Sequence, residues 1–134
     1  MMFKKLLLSL LVTVPVVAQA EWLEFNKSEE FITYIDPDRI VATVESLQYG
    51  EAWLKMVIHT DLTKDGLGIG DYKLVKYKFK CSSNETSLAA VYAYKKGKVI
   101  DSYIASYDKY EPVIPESNGE SMAFVVCRVL YGKE

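Results

Sequence analysis

The stretch 72-YKLVKYKFKC-81 decides how the chain is read. From Val75 onward it alternates, with Val75, Tyr77, Phe79 and Cys81 at odd positions and Lys76, Lys78 and Lys80 at even ones. Alternation of period two sends successive side chains to opposite faces of a strand. One face is therefore apolar and ends in a cysteine, while the other raises a row of lysines. An antiparallel sheet with one face on a core and the other in water uses such a strand.

The flanking segments fit the same sheet. Phe31–Ile35 is short and apolar, and Asp36-Pro37-Asp38 follows with turn chemistry: proline presets φ, and an aspartate bonds the backbone two residues on. Residues 40–44 are β-branched, residues 48–51 read as a tight connection around Gly50, and residues 53–60 read as a strand with Leu54, Met56 and Ile58 opposite Lys55 and His59. Residues 61–71 form the longest irregular segment, punctuated by Gly66, Gly68 and Gly70. Beyond the lysine-striped strand, residues 87–94 and 98–107 flank Lys95-Lys96-Gly97-Lys98, the pattern of a hairpin. Connections this short cannot make parallel crossovers, which leaves a meander of about five to six strands.

The C-terminal segment changes period. Ser117-Asn118-Gly119-Glu120 is S-x-x-E, a helix-capping pattern, and Pro112 and Pro115 lie upstream where they cannot interrupt a helix. Ala123, Phe124, Cys127, Leu130 and Tyr131 then fall on one helical face. The fold class is α+β: a small antiparallel sheet with a C-terminal helix packed on it.

Residues 1–20 are read as a secretory signal. Lys4 and Lys5 precede an apolar run over residues 6–18, and Ala18-Gln19-Ala20 fits the small-x-small cleavage rule. The run is shorter than the roughly 18–20 residues that span a bilayer, so no transmembrane segment is expected after cleavage. No cysteine lies near the cut, so no lipid anchor is expected, and the mature chain should be periplasmic or extracellular. Residues 21–134 form one domain. Losing Lys4 and Lys5 takes the net charge from −2 to −4, which argues against nucleic-acid binding.

Cys81 and Cys127 are the only cysteines. In an exported chain an even pair most simply forms one disulfide, here bolting the helix to the sheet.

No constellation for catalysis emerges. His59 is the single histidine and stands on the polar side of its strand, with no nucleophile motif beside it. Asp61, Thr63, Asp65 and Gly66 imitate the start of a calcium loop, but the twelfth position is Tyr72 where a bidentate glutamate is required. No metal or other cofactor is expected. The ten tyrosines suit either strands or a contact surface. Lys76, Lys78 and Lys80, with Lys73, Lys95 and Lys96 nearby, are the candidate partner-binding residues. They are open to two readings: a solvated face that discourages strand-to-strand aggregation, or a cationic patch that recruits a partner.

Tyr34-Ile35-Asp36 with Ile40, the Trp53 strand, Tyr77-Lys78-Phe79-Lys80-Cys81, Pro115-x-Ser117, and Val126-Cys127 before Tyr131-Gly132 together resemble the surface-adhesin protein E family of Gram-negative bacteria. The resemblance runs from about Trp22 to Tyr131. It implies an antiparallel sheet tied to a C-terminal helix by a disulfide, and binding to host extracellular-matrix proteins such as vitronectin or laminin. It places the contact segment from Lys73 to about Leu88. A periplasmic accessory or inhibitor protein is the other reading of such a chain.

Overall fold

The structure, a computed structural model, describes residues 21–132. The segment read as a signal peptide, residues 1–20, lies outside the described residues. Eight strands and one helix follow in order: β1 (Leu23–Lys27), β2 (Phe31–Ile35), β3 (Val41–Val44), β4 (Tyr49–Ile58), β5 (Tyr72–Lys80), β6 (Glu85–Lys95), β7 (Lys98–Ile104), β8 (Glu111–Pro112) and α1 (Asn118–Tyr131). All pairings are antiparallel, and the main path runs β1-β2-β4-β5-β6-β7.

The expected meander is there, with eight strands against the five or six read from sequence. The excess is β1 and the two-residue β8, and two sides of the sheet carry interrupted strands. β2 and β3 lie along the same side of β4, as one strand interrupted at residues 36–40. There Asp36 Oδ1 accepts the Asp38 N–H at 3.0 Å and Oδ2 sits 3.2 Å from Arg39 Nε, so the Asp-Pro-Asp segment coils into a single 3-10 turn. β7 and β8 likewise share one side of β6, interrupted at residues 105–110.

Boundaries also differ from the sequence reading, and β7 stops at Ile104 where the reading ran to residue 107. The connection before β4 is the 3-10 turn Glu45–Leu47, closed by Gln48 at φ 60°, so Tyr49, Gly50 and Glu51 belong to the strand. β1 is a strand that the sequence reading did not include. The hairpin between β6 and β7 is as expected: Lys95 pairs with Lys98, and Lys96 and Gly97 both take positive φ, the geometry of a two-residue turn whose twist matches its strands.

The helix begins as its capping pattern predicts, with Ser117 Oγ accepting the Glu120 N–H. The glutamate reaches back one residue further than in a standard capping box, accepting from the Glu116 N–H. Met122, Ala123, Val126 and Cys127 are its buried residues. Phe124, expected on that face, is exposed and lies under the Arg128 guanidinium. Met122 and Val126 take its place because the stripe of contact follows i, i+4 from Met122.

The core forms between α1 and one face of the sheet, where Ala52, Phe79 and Val126 are all 0 % exposed, with Ile35, Ile40, Leu54, Met122 and Ala123 around them. The Cys81–Cys127 disulfide closes its end, with a Cα–Cα distance of 5.6 Å. The Tyr131 hydroxyl donates to Tyr49 O and fastens the last turn of the helix to the start of β4.

Candidate protein-binding face

The register of the three central strands shows what the lysine row stands among. β4 sets Glu51 opposite Lys78 and Trp53 opposite Lys76, and β5 sets Leu74 opposite Tyr92 and Tyr72 opposite Tyr94 of β6. Directly paired residues share a face. Lys76, Lys78 and Lys80 therefore lie on the open face, turned away from α1, together with Glu51, Trp53, Lys55, Tyr72, Tyr92 and Tyr94.

These side chains are packed together rather than projecting. Lys76 Nζ is 3.0 Å from Glu51 Oε1 and lies over the Trp53 ring at 5.8 Å. Lys78 Nζ donates to Asp108 Oδ1 at 2.9 Å. Lys80 Nζ stands over two rings, Tyr110 at 4.3 Å and Tyr49 at 5.5 Å. Lys55 Nζ lies over Tyr72 at 4.4 Å, and Tyr72 stacks on Tyr94 with ring centres 4.7 Å apart. The side chains of Lys76 and Lys78 are only 29 % and 30 % exposed, and their ammonium groups meet the carboxylates of Glu51 and Asp108. The bond to Asp108 holds the Lys78 ammonium above its ordinary pKa despite partial burial, and burial pushes the Tyr110 hydroxyl up, with Asp108 adding to it.

The structure brings three of the six candidate lysines together on this face. Lys73, at an odd position, belongs to the helix-bearing face, where it pairs with Asp65 at 3.5 Å and lies over Phe31. Lys95 and Lys96 stand at the hairpin, where Lys95 Nζ donates to Gly66 O and the Lys96 N–H donates to Asp71 Oδ1. Both contacts pin the irregular segment 61–71 against the sheet.

That segment is held by carboxylates, Glu30 from the β1–β2 turn and Asp61, Asp65 and Asp71 of its own. Glu30 accepts from the Thr63 hydroxyl and the N–H groups of Thr63 and Leu62, and these bonds lower its pKa. Asp71 is lowered by the N–H groups of Gly68 and Lys96. Burial raises Asp65, but the Leu67 N–H and Lys73 outweigh it and hold its carboxyl low. Asp61 and Asp65 bond the N–H groups of Lys64 and Leu67, and among the described residues no group of side chains is arranged to hold a metal ion. His59 Nε2 lies 2.8 Å from Ser28 O, which can only accept, so the ring proton is on Nε2 and Nδ1 accepts from the Thr60 hydroxyl. The histidine staples the β1–β2 turn to the end of β4.

Sequence reasoning missed the aromatic frame. Glu51 and Trp53 were within reach: counting back by twos from Lys55 puts both on the open face once the strand starts at Tyr49. Asp108 and Tyr110 were not, since they arrive from the interruption between β7 and β8.

The comparisons with known proteins follow the same architecture. A family model for surface-adhesin protein E matches residues 22–128. Among solved structures, crystal form II of Haemophilus influenzae protein E aligns with a TM-score of 0.53 at 14 % sequence identity, covering 87 % of this chain and 100 % of that one. At that identity the likeness is one of fold. No curated protein sequence matches the chain. Among the described residues no helix is long and apolar enough to cross a membrane. The chain belongs to the surface-adhesin protein E family.

Proposed function

We propose that the chain is an exported, non-enzymatic binding module that takes a host extracellular-matrix protein, such as vitronectin or laminin, on the open face of its sheet. The observation that carries this reading is the packing of Lys76, Lys78 and Lys80 between aromatic rings and carboxylates. Tyrosine and tryptophan supply rigid contact area with a polar tip, and they dominate the energetics of interfaces. A surface whose side chains are already ordered gives up little rotamer freedom on binding. Because Glu51 and Asp108 meet two of the three ammonium groups, the face suits a partner of mixed charge better than a polyanion. Family membership supports the adhesin role.

The test replaces Lys76, Lys78 and Lys80 by glutamine, which keeps a polar side chain and removes the charges. Capture on immobilised vitronectin and laminin should weaken by about ten-fold, as loss of interfacial charge pairs does. Thermal unfolding should stay nearly unchanged. Equal capture by the variant, or no capture by the wild-type chain, would overturn the reading. Protease added to intact cells should cut the chain if it works at the surface, and complete protection would count against a host partner.

A further inference from the structure

We propose that the groove between the start of α1 and the sheet binds one long-chain fatty acid. Its carboxylate lies at Thr33 and the first turn of the helix, and its acyl chain runs across the strands toward Tyr103. The site is on the helix-bearing face, opposite the lysine row, and does not depend on the adhesin reading.

One end of the groove is polar and rich in unused donors. Thr33 of β2 lines it, is 7 % exposed, and has a hydroxyl that bonds nothing among the described residues. Its direct partner in β1 is Asn26, whose Nδ2 donates to Asn118 Oδ1 at 2.9 Å and so brings the start of α1 to the same place. There Ser117 Oγ accepts the Glu120 N–H, which leaves the N–H groups of Asn118 and Gly119 without an intrahelical partner. Ser117, Asn118 and Gly119 all line the groove. Glu120, the acid of this turn, accepts from the Glu116 N–H and is not part of the lining. Free donors at the positive end of a helix favour an anion, and the buried Thr33 hydroxyl can donate to the same group.

The rest of the groove is an apolar channel. Its volume is about 670 Å³, in the range that takes one small molecule. Leu54, Met56, Tyr77, Leu88 and Met122 form its walls, and Tyr103 of β7 stands at the far side. From β2 to β7 is four strand spacings of about 4.8 Å, or roughly 19 Å. The hydrocarbon core of a bilayer is about 30 Å thick, so a single lipid chain measures about 15 Å and fits within that span. The two methionines are unbranched and adapt to a flexible chain. Tyr107 and Ile114 on the rim are 72 % and 70 % exposed, apolar surface that an acyl chain would cover.

The direction of the groove selects the occupant. It runs across the strands, whose N–H and C=O groups are spent on pairing with one another. An extended peptide laid there would bury its own backbone groups with no ladder to satisfy them, whereas a hydrocarbon chain carries none. A single polar end and room for one molecule suit a free fatty acid rather than a two-chain phospholipid. Lys109 and Glu111, the charged residues of the lining, lie 3.7 Å apart and offset one another, which leaves the helix start as the place for the carboxylate.

The experiment uses the mature chain freed of lipid, with palmitate, laurate and hexadecanol as probes, each below the concentration at which it aggregates. Palmitate should bind one to a chain and shift the amide resonances of Thr33, Leu88, Asn118 and Gly119. Laurate is four methylenes shorter and should bind at least ten-fold more weakly. Hexadecanol, which has no charge, should bind about five-fold more weakly. Thr33→Val keeps the shape and removes a hydroxyl that no protein group uses, so it should weaken palmitate by about five-fold while the thermal midpoint holds. The preference for palmitate over hexadecanol should shrink with it. Leu88→Trp fills the channel from a partly exposed position and should abolish binding. The glutamine triple variant of the lysine row should bind palmitate as the wild type does, so that failure of this site and failure of the lysine face are told apart. Equal affinity for laurate and palmitate, hexadecanol bound as tightly as palmitate, shifts confined to residues outside the groove, or capture by phosphatidylcholine vesicles without binding of palmitate would each overturn the proposal.

Discussion

The two faces of β5 come from one backbone and one alternation, yet they are built for different purposes. On one, Phe79 is wholly buried against Ala52 and Val126, and Cys81 is bonded to the helix. On the other, Lys76, Lys78 and Lys80 keep part of their surface in water and meet carboxylates and rings. Apolar contact on the first face is continuous, so its free energy accumulates with area. On the second face the contacts are polar and half in water, and exposed ion pairs add little to stability. The difference lies in what covers the strand. Lys73 makes the point, since it shares the face of Val75 and Phe79 but lies beyond the helix and pairs with Asp65 of the irregular segment instead.

The largest break of this contrast is at the disulfide. Replacing Cys81 and Cys127 by alanine opens a loop of 46 residues, and in the chain-entropy model that costs about 4 kcal/mol. Urea unfolding should show the unfolding free energy falling by that amount, with α1 losing amide protection before the central strands. If stability barely changed, apolar packing alone would hold the helix. Gly50 offers a smaller break. A Cβ there would press on Leu130 Cδ1 and lie 3.3 Å from Val41 O, so Gly50→Ala should cost about 1–2 kcal/mol as Leu130 is pushed aside. A cost that vanishes in the double variant Gly50→Ala, Leu130→Ala would assign the effect to that contact.

These outcomes also mark how far the sequence could be read. The alternation around Tyr77 and Phe79, the cysteine pair, and the S-x-x-E cap were enough for the sheet, the helix and their bond, because each is a local rule that tertiary packing then reinforced. Gly50 misled, since a glycine inside a strand imitates a turn when what it provides is room for Leu130. β8 was hard to read for another reason. It is a two-residue continuation of β7's side of β6 past an interruption, and pairing of that kind depends on the long strand beside it. The same holds for the candidate face. Its lysines were visible in one line of sequence, whereas Asp108 and Tyr110 reach them from thirty residues away, for the Lys78–Asp108 pair, across a broken strand.

The smallest expected effect sharpens the contrast most. Lys78→Gln removes the charge that meets Asp108 and should lower stability by no more than about 1 kcal/mol, the range of an exposed pair. Its pH dependence identifies it. Bonding to Asp108 raises the folded-state pKa of Lys78 above the ordinary 10.5. The unfolded chain therefore releases this proton first as pH rises, and the stabilisation is complete below 10.5 and lost as pH climbs through the folded value. Wild type and Lys78→Gln should differ by a constant amount near neutral pH and converge in strong alkali. A difference that instead persisted undiminished there would mean that the lysine acts through its stem rather than its charge, and that the open face, too, is held mainly by apolar contact.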